Sequence, residues 1–145
     1  QAAEFSNMNI PLLPGGGHLT YLYAMQRLIL PKLVAFKPDI VIVACGFDAS
    51  GVDPLSRMLC GSDTFYEMTK ALMDVTGNRS VMAHEGGYSE THVPFCGHHV
   101  LQQLSGSAKT VSDPLSPRIM AQQPDISLNL LQEKRMNEIA ELHQL

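Results

Sequence analysis

The stretch DIVIVACGFDASGVDPL, Asp39 to Leu55, decides how this chain is read. Its first part, Ile40-Val41-Ile42-Val43-Ala44-Cys45, is a short apolar run rich in β-branched residues. A run of that kind, without polar alternation, reads as a strand buried on both faces. Gly46-Phe47 then breaks it and delivers a carboxylate, Asp48, just past the strand's last residue. An ionised carboxylate beside a low-dielectric core is costly unless hydrogen bonds or a cation compensate it. Asp48 therefore either caps the turn, the commoner role for an aspartate after a strand, or faces a positive partner. The residues alone leave both open.

Upstream, the Pro- and Gly-rich opening to Gly17 reads as an irregular loop. Leu19, Leu22, Tyr23, Met25, Leu28, Ile29, Leu33 and Phe36 recur at helical spacing, and Pro31 is expected to kink or split that helix before Lys37-Pro38 ends it. Downstream, a loop runs to about Gly61, where Ser62 or Asp63 is expected to cap the next helix. That helix is lined by Phe65, Met68, Leu72 and Val75 and stops at Gly77-Asn78. A second strand, Ser80 to His84, leads into Glu85-Gly86-Gly87-Tyr88, and a further helix is expected over Pro94 to Leu104, ending at Gly106. This alternation predicts an α/β fold, a parallel sheet flanked by crossover helices. Ala108 to Pro124 reads as loop, and Leu128 to Leu142 as an amphipathic helix whose apolar stripe docks on the body or on a partner, which leaves a homo-oligomer open.

Ligands of open parallel sheets bind beyond the carboxyl ends of the strands. Asp48 and the Gly-Gly-Tyr segment both follow such ends, so pairing of the two strands would put Asp48 and Tyr88 on one cleft. A blander reading of Gly-Gly-Tyr is a tight turn followed by a half-buried tyrosine.

Composition narrows the classes. At 145 residues the chain can build one domain with a sizeable core. Hydrophobic residues make up 45% and charged residues 17%, which argues against disorder. A net charge of −4 and the absence of any Lys/Arg cluster give no field for direct nucleic-acid binding. No apolar run approaches the roughly 20 residues that span a bilayer, and no basic start with an apolar stretch marks a signal peptide. Cys45, Cys60 and Cys96 form no C-x-x-C pair and read as reduced thiols of a cytoplasmic protein.

Taken together, GFDAS, GVDPL and EGGY, with NIPLLPGGG at the start and the lead-in KPDIVIV, resemble the histone deacetylase family. That family includes the bacterial deacetylase-like amidohydrolases and the acetylpolyamine amidohydrolases. The resemblance covers about Asn9 to Leu104 and implies a partial arginase/deacetylase-like fold. It also implies a zinc-dependent hydrolase acting on acetyl-lysine or an acetylpolyamine. In the family, zinc is held by two aspartates and a histidine, leaving positions for water and substrate. Asp48 matches one of those aspartates. Tyr88 matches the tyrosine that hydrogen-bonds the tetrahedral oxyanion, where poorly active relatives carry histidine. Gly86 and Gly87 would keep bulk out of the narrow substrate channel, and Leu55 falls at its wall.

The family's Asp-x-His ligand pair and its upstream His-His pair have no counterpart here. His98-His99 lies downstream of EGGY, the wrong place for that role. With Gln1 in place of Met, the chain is expected to be a fragment. Residues 1–107 would be the carboxyl-terminal portion of the catalytic domain and residues 108–145 the loop and closing helix. The missing amino-terminal half is then its first partner, and the isolated chain is expected to be inactive. The competing reading is a non-catalytic, truncated remnant that serves as a binding or assembly module. A metal-independent α/β hydrolase is disfavoured by the lack of a G-x-S-x-G elbow. His84 is expected at a strand end, His18 and His92 in solvent, and Cys45 and Cys96 as small buried hydrophobes. Neither Gly15-Gly16-Gly17 nor GSAKT completes a phosphate loop.

Overall fold

The computed structural model describes residues 6–145, so the start of the expected opening loop lies outside the described residues. Helix α1 (His18–Ala24), a wide π-type turn (Met25–Ile29) and helix α2 (Leu30–Phe36) run end to end. The wide turn falls directly before Pro31, which has no N–H to give a regular helix, so the break expected from proline is made on its amino-terminal side. Lys37, in the left-handed region at φ 53°, closes α2. Strand β1 (Val41–Cys45) follows, then helix α3 (Ser62–Thr76), strand β2 (Ser80–His84) and helix α4 (Val93–Ser105).

β1 and β2 pair in parallel, from Val41 opposite Ser80 to Cys45 opposite His84. The α/β reading therefore holds, and the two strand ends lie side by side. Burial on both faces of β1 is not what the structure shows. Val41, Val43 and Cys45 are half-buried, whereas Ile42 is 72% exposed and Val81 beside it 47%. The inward face packs on the core of Phe47, Cys60, Phe65, Cys96 and Val100, to which Cys45, Met68 and Met82 add. The outward face is bare among the described residues. α3 and α4 lie against each other over that core.

The start of α3 differs from expectation. Neither Ser62 nor Asp63 caps it; Gly61 is the cap, with its N–H donated to Thr64 Oγ1 at 3.2 Å. Ser62 is drawn away, its hydroxyl donating to Asp113 Oδ2 at 2.8 Å. The stops at Gly77 (φ 59°) and Gly106 (φ 68°) are left-handed, as glycine there permits.

The segment read as loop contains a short helix, α5 (Ser116–Ala121). It is started by Asp113, whose Oδ1 accepts the Leu115 N–H at 2.9 Å, and by Pro117, whose missing N–H costs nothing in a first turn. One buried residue, Ile119, holds it, too little to show as periodicity. Helix α6 (Ile126–Leu142) starts at Asp125, which caps the Leu128 N–H at 3.0 Å. Its Met136 and Ala140 join Ala24 and Leu28 in a second apolar cluster. Buried Gln132 grips the NIPLLPGGG segment by both ends of one residue, accepting from Leu13 N–H and donating to Leu13 O at 3.0 and 2.9 Å. That segment in turn braces the loop after GVDPL, through Gly15 N–H to Arg57 O and Leu59 N–H to Gly16 O at 2.6 and 2.8 Å. No helix of the described residues is long and apolar enough to cross a membrane.

Candidate active site

Past the last paired residues the two chains stay joined. Glu85 N–H donates to Cys45 O and Phe47 N–H to Gly86 O, at 3.4 and 2.8 Å. Phe47 is buried edge-on against Phe65, with ring centroids 5.2 Å apart, and this anchors the turn that presents Asp48. The Asp48 carboxylate passes directly over Gly86, where any Cβ would overlap it. Gly87 has φ 122°, and a Cβ there would come within 3.0 Å of Phe47 and Val93. Gly87 is thus required by its backbone, whereas a side chain at Gly86 would push the Asp48 carboxylate out of its present position.

Asp53, buried, ties GVDPL to EGGY. Its Oδ1 accepts the Leu55 N–H at 2.9 Å and its Oδ2 the Tyr88 N–H at 2.6 Å. The result is one open cleft of about 380 Å³ lined by Asp48, Leu55, Tyr88, Tyr21, Arg57 and Met58, among others. Asp48, Leu55 and Tyr88, singled out separately in the sequence, are brought together here; Gly86 lies against the Asp48 carboxylate, and Gly87 lines a neighbouring hollow with Tyr88 and Val93 instead. Leu55 and Tyr88 expose 69% and 56% of their surface, as groups awaiting a ligand or a covering element do. Among the described residues no hydrogen bond reaches the Asp48 carboxylate. Burial, and then the neighbouring Cys60 and Asp48, push the Tyr21 hydroxyl well above the usual tyrosine range, so it stays a protonated donor in the cleft.

Sequence reasoning missed one arrangement. His92, expected in solvent, is completely buried at the foot of α4. Its Nδ1 lies 2.6 Å from Ser50 Oγ and its Nε2 2.8 Å from Asp113 Oδ2. These residues come from three separate loops, so no spacing rule could have joined them. His18 is likewise not free in solvent; its Nδ1 lies 3.0 Å from Thr64 Oγ1. His84 ends β2, exposed and near the Phe47 ring, and His99 is buried whereas its neighbour His98 is exposed. Cys60 and Cys96 are fully buried and Cys45 half so; burial raises all three thiols.

The family model for the histone deacetylase domain matches residues 1–104. This chain belongs to the histone deacetylase family. A histone deacetylase-like amidohydrolase of Pseudomonas aeruginosa is 50% identical over 138 residues, covering 92% of this chain and 36% of that protein. Histone deacetylase clr3 of Schizosaccharomyces pombe is 36% identical over 100 residues, 68% of this chain and 15% of that protein. Among solved structures, the histone deacetylase Clr3 superposes with a TM-score of 0.75 at 27% identity over 93% of this chain and 22% of that one. The HDA15 HD domain does so with a TM-score of 0.67 at 28% identity, over 92% and 38%. The chain thus spans just over a third, 36%, of the Pseudomonas relative and shares the deacetylase fold across nearly all its own length.

Proposed function

We propose that this chain carries the carboxyl-terminal part of a zinc-dependent active site that removes acetyl groups from acetylated amines, acetyl-lysine or an acetylated polyamine. The observation that carries the reading is the convergence of Asp48, Leu55 and Tyr88 on one cleft at the carboxyl ends of two paired parallel strands, within a chain of the deacetylase family.

The donor chemistry fits zinc in part. The Asp48 carboxylate is exposed and accepts no hydrogen bond among the described residues, so its oxygens are free to ligate a cation. No group of three or more His, Cys, Asp or Glu that could hold a metal occurs among the described residues. Asp48 therefore serves as one ligand, and the others come from upstream of this chain. Bound zinc supplies Lewis-acid polarisation of the amide carbonyl and activation of water.

The rest is done by the chain itself. Leu55 gives an apolar wall for the methylene stem of the amine. Gly86 and Gly87, next in chain to Tyr88, keep side-chain bulk away from the acetyl group. As the carbonyl oxygen takes on negative charge, the Tyr88 hydroxyl donates a hydrogen bond to it, an interaction worth most in the transition state. Asp53 holds the Tyr88 backbone for that purpose.

A second reading, a non-catalytic binding module, draws on the incomplete ligand set. One experiment separates the two. The chain joined to the upstream half of its domain is assayed for zinc and for hydrolysis of an acetyl-lysine peptide and an acetylated polyamine. Stoichiometric zinc with turnover of either supports the hydrolase; bound zinc without turnover on any acetylated amine rejects it.

A further inference from the structure

We infer that His92 is a positioning residue, fixing the loop of Asp48 against the loop of Tyr88 through the buried Ser50–His92–Asp113 chain. The inference rests on the roles proposed above for Asp48 and Tyr88.

The direction of each hydrogen bond follows from chemistry. The Asp113 carboxylate can only accept, so His92 Nε2 carries the proton shared across 2.8 Å. In the neutral tautomer that carries this proton, Nδ1 is the acceptor and the Ser50 hydroxyl donates to it across 2.6 Å. Ser50 Oγ is left to accept the Val52 N–H at 3.2 Å. At the far end Asp113 also takes the Ser62 hydroxyl at 2.8 Å and the Leu115 N–H at 2.9 Å. Every side-chain polar atom of these three buried residues has a partner, the condition under which such a network rigidifies its surroundings.

Its placement gives the rigidity a use. Ser50 stands two residues beyond Asp48, and His92 four beyond Tyr88. The imidazole thus bridges the two loops that carry the reacting groups, while Asp53 to Tyr88 N–H bridges them again at 2.6 Å. Phe47 N–H to Gly86 O, at 2.8 Å, is a third tie between the two loops. Ser50, 1% exposed, is walled off from any substrate, so the resemblance to a serine nucleophile with its base stops at residue types.

The test uses the zinc-loaded domain made of this chain and its upstream half. His92→Phe fills the volume but makes neither hydrogen bond, Ser50→Ala removes one, and His92→Gln can still accept and donate. His92→Phe and Ser50→Ala should each lower kcat by about tenfold or more at near-constant KM and speed zinc loss to a chelator by a similar factor. Hydrogen exchange measured by mass spectrometry should quicken in the peptides that carry Asp48 and Tyr88, and His92→Gln should recover part of every effect. Wild-type kcat per folded molecule, with exchange altered only in α4 and the Asp113 loop, would make His92 a core histidine and nothing more. Should the wild-type domain neither bind zinc nor turn over, the proposed function fails instead, and the exchange measurement alone decides the role of His92.

Discussion

Asp48 and Tyr88 stand on adjacent loops yet answer different tests. Asp48→Asn keeps the shape and removes the charge, so bound zinc and deacetylation should fall together in the assembled domain. An active mutant with stoichiometric metal would remove Asp48 from the site. Tyr88→Phe takes one hydroxyl, so zinc content should stay while kcat drops by about a hundredfold or more. A raised KM at unchanged kcat would mean that the hydroxyl only binds substrate. Asp113 carries the pH prediction. Burial pushes its carboxyl up, but the hydrogen bonds from Ser62, the Leu115 N–H and His92 outweigh this, and the net shift is downward from 3.8. A carboxyl lowered in the folded state adds stability that is present above its unfolded pKa and is lost as pH falls through the folded value. In the domain assembled with its upstream half, Asp113→Asn should therefore narrow the gap between urea midpoints at pH 7 and at about pH 3. An unchanged gap would place the acid sensitivity elsewhere. That Asp48 and Tyr88 follow two neighbouring strand ends was legible from short motifs, because strand runs and glycine breaks act over adjacent residues. His92 was not, since its partners Ser50 and Asp113 are distant in the chain.

Helix α6 shows what an element can and cannot reveal in advance. Its periodicity announced a helix, but whether the apolar stripe met the body or a partner was open. In the structure Met136 and Ala140 meet Ala24 and Leu28 of the first helices, whereas Leu130, Leu131 and Leu142 stay exposed. Leu28 is fully buried there, so Leu28→Ala should destabilise the chain by about 2–5 kcal/mol in urea unfolding. A loss well under that would mean that the α6 contact closes over the gap or contributes little. The short helix α5 stayed hidden for a physical reason. Six residues give too few turns for a pattern, and Ile119, the one buried residue that holds it, acts through tertiary neighbours.

At the scale of the molecule, the bare face of the sheet and the incomplete proposed zinc site make one point. Ile42 and Val81 present apolar surface on the side opposite α3 and α4, and a cavity of about 440 Å³ opens between β2 and α4 beside Met82, Val100 and Leu101. These 145 residues alone are expected to bind zinc weakly, to turn over no acetyl-lysine reporter, and to self-associate through that face. Adding the upstream half in trans should restore metal, activity and a defined stoichiometry. Tight zinc and robust turnover by the chain alone, read by elemental analysis and a fluorogenic peptide, would show the ligands misplaced. The sequence by itself determined the parallel α/β plan, the two strand ends and the residues that follow them, because strand periodicity, glycine breaks and helix stops are local. Only the tertiary structure decided that β1 is open on one face, that Asp53 and His92 clamp the two loops, and that Asp48, Leu55 and Tyr88 share one cleft. Those facts depend on which distant segments meet, and packing, not local preference, makes that choice.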